Sequence, residues 1–131
     1  MEIQNERQRL LNSIERFSVI EEKYGITIEN IGVKKDEHHL FFYVDVIVDL
    51  EDWEYITFLC VLYDSNDNII DRNDYDIYSN SFVGISNLSF IFSDFSNPNA
   101  FKDIKKVRIY PSNVRMIDHF WDDLEDNEED I

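Results

Sequence analysis

The chain has 131 residues and carries 12 basic against 28 acidic side chains, a formal net charge of −16. That length accommodates one domain with one core, and that charge argues against direct contact with nucleic-acid backbones or anionic membranes, which are held by Lys and Arg. Apolar residues at 44% and aromatics at 15% do not fit the composition of a disordered protein, so the chain is expected to fold.

The only cysteine, Cys60, leaves no intramolecular disulfide and fits a reducing compartment. The start, Met1 to Arg9, lacks the basic and then apolar pattern of a secretory signal. The longest apolar run, Ile56 to Tyr63, stops at Asp64, far short of the ~20 residues of a membrane span. A cytoplasmic protein is expected.

Residues 1–24 form the first zone. Ile3, Leu10, Leu11, Ile14, Phe17 and Tyr24 fall largely at spacings of three, four and seven, which predicts an amphipathic N-terminal helix. Gly25 is its expected stop, with the β-branched pair Val19 and Ile20 able to end it a turn earlier.

From Ile26 the period changes to two. In His39 to Leu50, the side chains Leu40, Phe42, Val44, Val46, Val48 and Leu50 share one face, and Phe41, Tyr43, Asp45, Ile47 and Asp49 share the other. Tyr55 to Tyr63 repeats the alternation with apolar residues on both faces, the pattern of a central strand. Asp64 to Asn68 supplies turn formers, predicting a hairpin into Ile69 and Ile70. Further strands are expected at Ile26 to Lys34, Asp74 to Tyr78, Phe82 to Phe92 and Lys105 to Tyr110, with Pro111 ending the last. Six or seven short strands separated by polar turns predict a mainly β fold over residues 25–116, an antiparallel immunoglobulin-like β-sandwich.

The third zone, 117–131, is an acidic C-terminal tail with eight acids and no Lys or Arg, so half of the net −16 sits in fifteen residues. Phe120, Trp121, Asp122, Asp123, Leu124, Glu125 and Asp126 combine apolar anchors with like charge. A short peptide of that kind suits a basic, hydrophobic groove: charge steers the encounter and the anchors supply buried area. The competing assignment is a solubilising tail whose Phe120 and Trp121 cover a sandwich edge.

Other candidates are weaker. Asp64, Asn66 and Asn68 occupy the first, third and fifth places of an EF-hand-like calcium loop, with Asp71 nearby, but the sixth place holds Ile69 where a Gly is needed and the twelfth holds Tyr75 where a Glu is needed. A hairpin turn explains the same residues better. Asp36-Glu37-His38-His39 offers ligand types in a row, yet neighbours in an extended segment point apart, and a polar turn accounts for them. No other metal site and no cofactor is expected. Cys60, on the apolar face of a central strand, should be an inert core thiol, and His119 beside Asp118 has no Ser or Cys in a strained nucleophile turn to work with. No catalytic residue is assigned, and the protein is not expected to be an enzyme.

The stretch from Cys60 through Leu62-Tyr63-Asp64 to Asp71 resembles the central hairpin of FxLYD-type bacterial domains, and Phe82-Val83-Gly84 followed by Phe90-Ile91-Phe92 is similar to how such sandwiches continue. Here Cys60 stands for the first Phe of the motif and the turn lacks its usual Gly. The likeness spans at most residues 26–111. It implies an immunoglobulin-like sandwich and no catalytic residues.

The function expected from these features is non-catalytic protein binding, with the acidic surface and tail engaging a basic partner. One form is an inhibitor or immunity-like protein that covers a nucleic-acid-binding enzyme, presenting carboxylates where phosphates would sit. The alternatives are an assembly subunit that self-associates through the N-terminal helix, and a calcium-assisted ligand-binding sandwich built around Asp64 to Asp76.

Overall fold

The computed structural model describes residues 2–94 and 100–117, the side chains of residues 2–4 excepted. The elements run α1 (Glu2–Asn12), β1 (Ile14–Arg16), α2 (Ser18–Tyr24), β2 (Ile26–Lys35), β3 (His39–Val48), β4 (Trp53–Tyr63), β5 (Ile69–Tyr78), β6 (Ile85–Ser93) and β7 (Lys106–Met116). Short 3-10 turns at Ser79–Ser81 and Ala100–Asp103 flank β6. The chain is mainly β. Its strands form a four-stranded sheet in the order β1-β7-β4-β5 and a three-stranded sheet in the order β2-β3-β6. No helix among the described residues is long and apolar enough to cross a membrane.

The period-two pattern decides which faces meet. Leu40, Phe42, Val44 and Val46 of β3 and Ile56, Phe58, Cys60 and Leu62 of β4 are at most 1% exposed, and Leu88, Phe90 and Phe92 of β6 join them between the sheets. Each large side chain buried there contributes about 1.5–3 kcal/mol relative to exposure. β5 and β6 face each other along one open side, where the Asn73 side chain donates to the Ile91 carbonyl at 2.9 Å. The helices close the opposite side, packing on β2 and β7.

The N-terminal helix expected over residues 1–24 is two helices with a strand between them. Ser13 ends α1: its hydroxyl donates to the Arg9 carbonyl at 2.7 Å, and its own carbonyl accepts from the Val107 amide at 3.0 Å. That second bond draws β-branched Ile14 into a parallel pairing with Val107, and Glu15 and Arg16 follow opposite Arg108 and Ile109. The seven-residue α2 is too short to persist alone. Gly25 closes it in the left-handed conformation at φ 64° and ψ 35°.

Two strand boundaries also differ from expectation. The segments around Ile69 and Asp74 are one strand, β5, paired along its length with β4. β7 runs through Pro111 to Met116. Pro111 falls where the β4–β7 register shifts, opposite Phe58, and past the end of the short parallel neighbour β1. A bulge beside an open edge is a setting that tolerates a missing N–H. β6 begins at Ile85, later than Phe82, because the 3-10 turn and Gly84 at φ 98° interrupt the extended chain, while Phe82 packs edge-on against Trp53 at 5.5 Å.

Inside the helical corner lies a charged group that the pattern of apolar residues does not announce. Glu21 on α2 is 5% exposed. Its Oε1 accepts from Arg16 Nη2 at 2.5 Å and from the Ile28 amide at 3.0 Å, tying α2 to β1 and to β2, while Oε2 has no hydrogen-bond partner among the described residues. Removing one partner of a fully buried pair costs about 3–5 kcal/mol. Arg16 is 41% exposed, so water takes up part of its role and Arg16→Ala should cost about 2 kcal/mol. Chemical denaturation checks this, with Arg16→Lys expected to recover part of the loss.

Candidate functional site

The β3–β4 connection carries Asp49, Glu51 and Asp52, and Glu54 follows as the second residue of β4, four acids in six residues. Its shape is held at both ends. The Asp49 amide donates to the Gly25 carbonyl at 2.7 Å, and Asp52 adopts φ 60°, a left-handed position that Asp accepts more readily than most residues. The Ile117 amide then donates to the Asp52 carbonyl at 2.7 Å, just beyond the end of β7. That bond fixes the point from which the tail departs directly beside the acidic connection. Glu54 faces Arg115 at 3.8 Å, an exposed contact worth little.

The tail residues singled out in the sequence, Phe120, Trp121, Asp122, Asp123, Leu124, Glu125 and Asp126, lie outside the described residues. Apolar side chains are exposed around Ile117, itself at 44%, with Met116 at 40% and Tyr78 at 50%.

The calcium candidates fold into a turn. Asp64 Oδ1 accepts from the Asn66 and Asn68 amides at 2.8 and 2.9 Å, and the Asp64 amide donates to the Asn68 carbonyl at 3.0 Å. Asp67 takes φ 62° at the tip and pairs with Lys106 at 2.7 Å, which holds its carboxyl below the usual carboxylate range. Asp71 Oδ1 accepts from the Arg72 amide at 2.8 Å. Among the described residues no three His, Cys, Asp or Glu side chains converge as a metal site.

Asp36 likewise organises a turn, its Oδ1 accepting from the His38 and His39 amides at 3.1 and 2.8 Å. Those bonds and the His39 ring outweigh its slight desolvation, so its carboxyl lies below the usual range. His38 Nδ1 lies 3.0 Å from Asp94 Oδ1. Each of these carboxylates is spent on its own backbone or on a single neighbour, which is structural work.

Cys60 is fully buried, and burial pushes its thiol far above the ordinary thiol range. A thiolate is the reactive form, so the native protein should resist iodoacetamide at neutral pH and be alkylated only in denaturant. Intact mass spectrometry with and without guanidinium checks both halves. Leu10 of α1 is also fully buried, which commits the described apolar side of that helix to the chain's own core.

One further arrangement was hidden in the register. On the outer face of the four-stranded sheet, Glu15, Arg108, Val61 and Arg72 form one row across all four strands. Val61 is only 2% exposed although it lies on this outer face. The Arg108 guanidinium lies over the Phe17 and Tyr63 rings at 5.3 and 5.2 Å, and Lys106 lies over Tyr63 at 4.9 Å. The alternation Lys106, Arg108, Tyr110 is visible in the sequence, but its juxtaposition with Arg72 depends on pairing through β4.

No family model matches the chain, and no curated protein matches it in sequence.

Proposed function

We propose that this protein is a small, non-catalytic, cytoplasmic binding module that engages a basic protein through its acidic end and tail. The observation that carries the reading is the bond from the Ile117 amide to the Asp52 carbonyl. It sets Ile117, after which the sequence carries eight acids, beside a connection with three, which supports a reading in which both groups of acids serve one interface. A field of one sign concentrated at one end raises association rates with an oppositely charged partner by about 10–1000-fold and makes binding salt-sensitive. Phe120, Trp121 and Leu124 supply apolar anchors within the charged segment. Backbone bonds at Asp49 and Asp52 anchor the connection that bears these carboxylates, which supports a role in covering a surface that otherwise binds phosphates, as an inhibitor or immunity-like protein would.

We read the sandwich as immunoglobulin-like. The orders β2-β3-β6 and β5-β4-β7 support this, with β1 occupying the place of a final strand beside β7 while running parallel to it. The FxLYD-like hairpin fits the same reading: Leu62 and Tyr63 end β4, and Asp64 makes the turn into β5.

Affinity purification from the source cell at low ionic strength tests the function. The expected result is a basic partner released as salt is raised to about 1 M, where the screening length falls to about 3 Å. Recovery of no partner, or of an acidic partner retained unchanged in high salt, would contradict it.

A further inference from the structure

Four strands end the two sheets, β1 and β5 in the larger and β2 and β6 in the smaller. An open edge is a template for another strand unless shortness, charge, a bulge or a cover blunts it. Three of the four are blunted. β1 has three residues. β2 shifts register between Glu29 and Gly32, holds Asn30 at φ 53°, and is packed by both helices. β5 carries Asp71, Arg72, Asp74 and Asp76, and the Asp71 and Asn73 side chains accept from the Arg72 and Asp74 amides. β6 has none of these devices. Its nine residues, Ile85–Ser93, include no Asp, Glu, Lys or Arg, alone among the seven strands, and no proline. Its register with β3 runs unbroken from Ser93 to Ile85.

Two bonds fix which backbone groups of β6 face outward. One step beyond the pair His39 and Ser93, the Asp94 amide donates to the His38 carbonyl at 3.1 Å. Bonding alternates along an antiparallel ladder, so even-numbered residues of β6 bond to β3 and odd-numbered ones turn N–H and C=O to the free edge. The Ile91 carbonyl does face that edge, accepting from Asn73 at 2.9 Å with a second lone pair to spare. The same odd residues place side chains on the outer face of the sheet, where Ile85 and Ile91 are about half exposed. Ile85 lies opposite Ile47 and Ile91 opposite Phe41, whose ring stacks with Tyr43 at 6.2 Å.

We propose that β6 is the seat of a symmetric dimer, in which two copies add edge to edge as antiparallel strands and their three-stranded sheets join into one of six. Outward groups must meet outward groups, so odd residues pair with odd. A two-fold axis at Leu88 then sets Ile85 opposite Ile91 of the second copy, and Asn87 opposite its Ser89, each pair occurring twice. Charge selects this occupant. At −16 per chain, two copies repel least where they meet through the one uncharged strand. The eight acids of the tail find no cation on β6, and a basic protein finds no carboxylate there. The nearby Asp45 carboxylate accepts from Asn30 and Asn87. So short an interface makes a weak dimer, and net repulsion between copies makes it tighter as salt rises, the reverse of capture of a basic partner.

Sedimentation velocity of the full chain from about 20 µM to about 1 mM tests the dimer. The expected result is a monomer converting to a dimer across that range, with affinity about tenfold higher at about 0.5 M than at about 0.02 M salt. Ile85→Lys/Ile91→Lys sets like charges opposite each other twice and should weaken association at least about tenfold. Ile85→Lys/Ile91→Glu sets opposite charges at the same two places and should restore it. Both residues are half exposed, so each variant should keep a melting temperature near that of the parent chain. Hydrogen exchange reads the same edge: the amides of Ile85, Asn87, Ser89 and Ile91 should gain protection as the dimer forms. A monomer throughout the range, a dimer that survives the lysine pair, or a charge-swapped variant as monomeric as the lysine pair would each overturn the proposal. Protection of those amides in a monomer at every concentration would give the edge to another segment of the same chain, and would overturn it too. Capture of a basic partner stands or falls separately.

Discussion

Gly25→Ala should destabilise the fold by about 3–4 kcal/mol, combining the cost of a left-handed backbone for an L side chain with a steric overlap. A Cβ at this position would lie 2.5 Å from the Asp49 carbonyl oxygen, and the neighbouring backbone is pinned by the Asp49 amide to the Gly25 carbonyl. Neither side can move without parting α2 from the acidic connection. Gly84→Ala is the control. Its φ of 98° is also unfavourable for alanine, but nothing lies within 4 Å of the new Cβ, so the cost should stay at about 1–2 kcal/mol. Urea denaturation of the two variants separates the contributions. Because Gly25 supports Asp49, its variant should also weaken partner binding.

The alternation in β3 and β4 could be read directly, because faces buried between two sheets are dictated by residues two apart, and Leu40, Phe42, Val44, Ile56, Phe58 and Cys60 all occupy the expected side. The break after Asn12 could not. Ile14 fits a helical stripe as well as a strand, and what decides is its pairing with Val107, a contact between opposite ends of the chain. Pro111 misled for a related reason: its tolerance depends on β1 being too short to reach it. Nothing in the sequence separates Glu21 from its neighbour Glu22; Arg16 and the Ile28 amide single it out only in the fold. Of the candidate site, the tail's composition was legible. The acids of residues 49–54 were visible as a run, but their meeting with the tail root rests on a single backbone bond. The arginine row was not legible, since Arg72 and Arg108 become neighbours only through Val61.

Converting the eight tail acids to Asn and Gln should reduce affinity for a basic partner about 100-fold at low salt, mainly through slower association. At about 1 M salt, where screening removes most of the steering, the two proteins should bind within a few-fold of each other. Neutralising Asp49, Glu51 and Asp52 should have a smaller effect in the same direction, because three charges contribute less field than eight. Replacing Phe120 and Trp121 by alanine should instead raise the dissociation rate and leave the salt dependence of association intact, since apolar anchors act after the encounter. Stopped-flow measurements over a range of ionic strength resolve the two roles.

The most direct measurement of the acidic end as an interface is parallel affinity capture with the full chain and its tail-neutralised form, eluted in steps of salt. The expected result is a basic protein held by the full chain, released by salt, and largely absent from the neutralised form. A partner retained equally by both proteins and indifferent to salt would place binding elsewhere on the fold and contradict an electrostatic interface at this end.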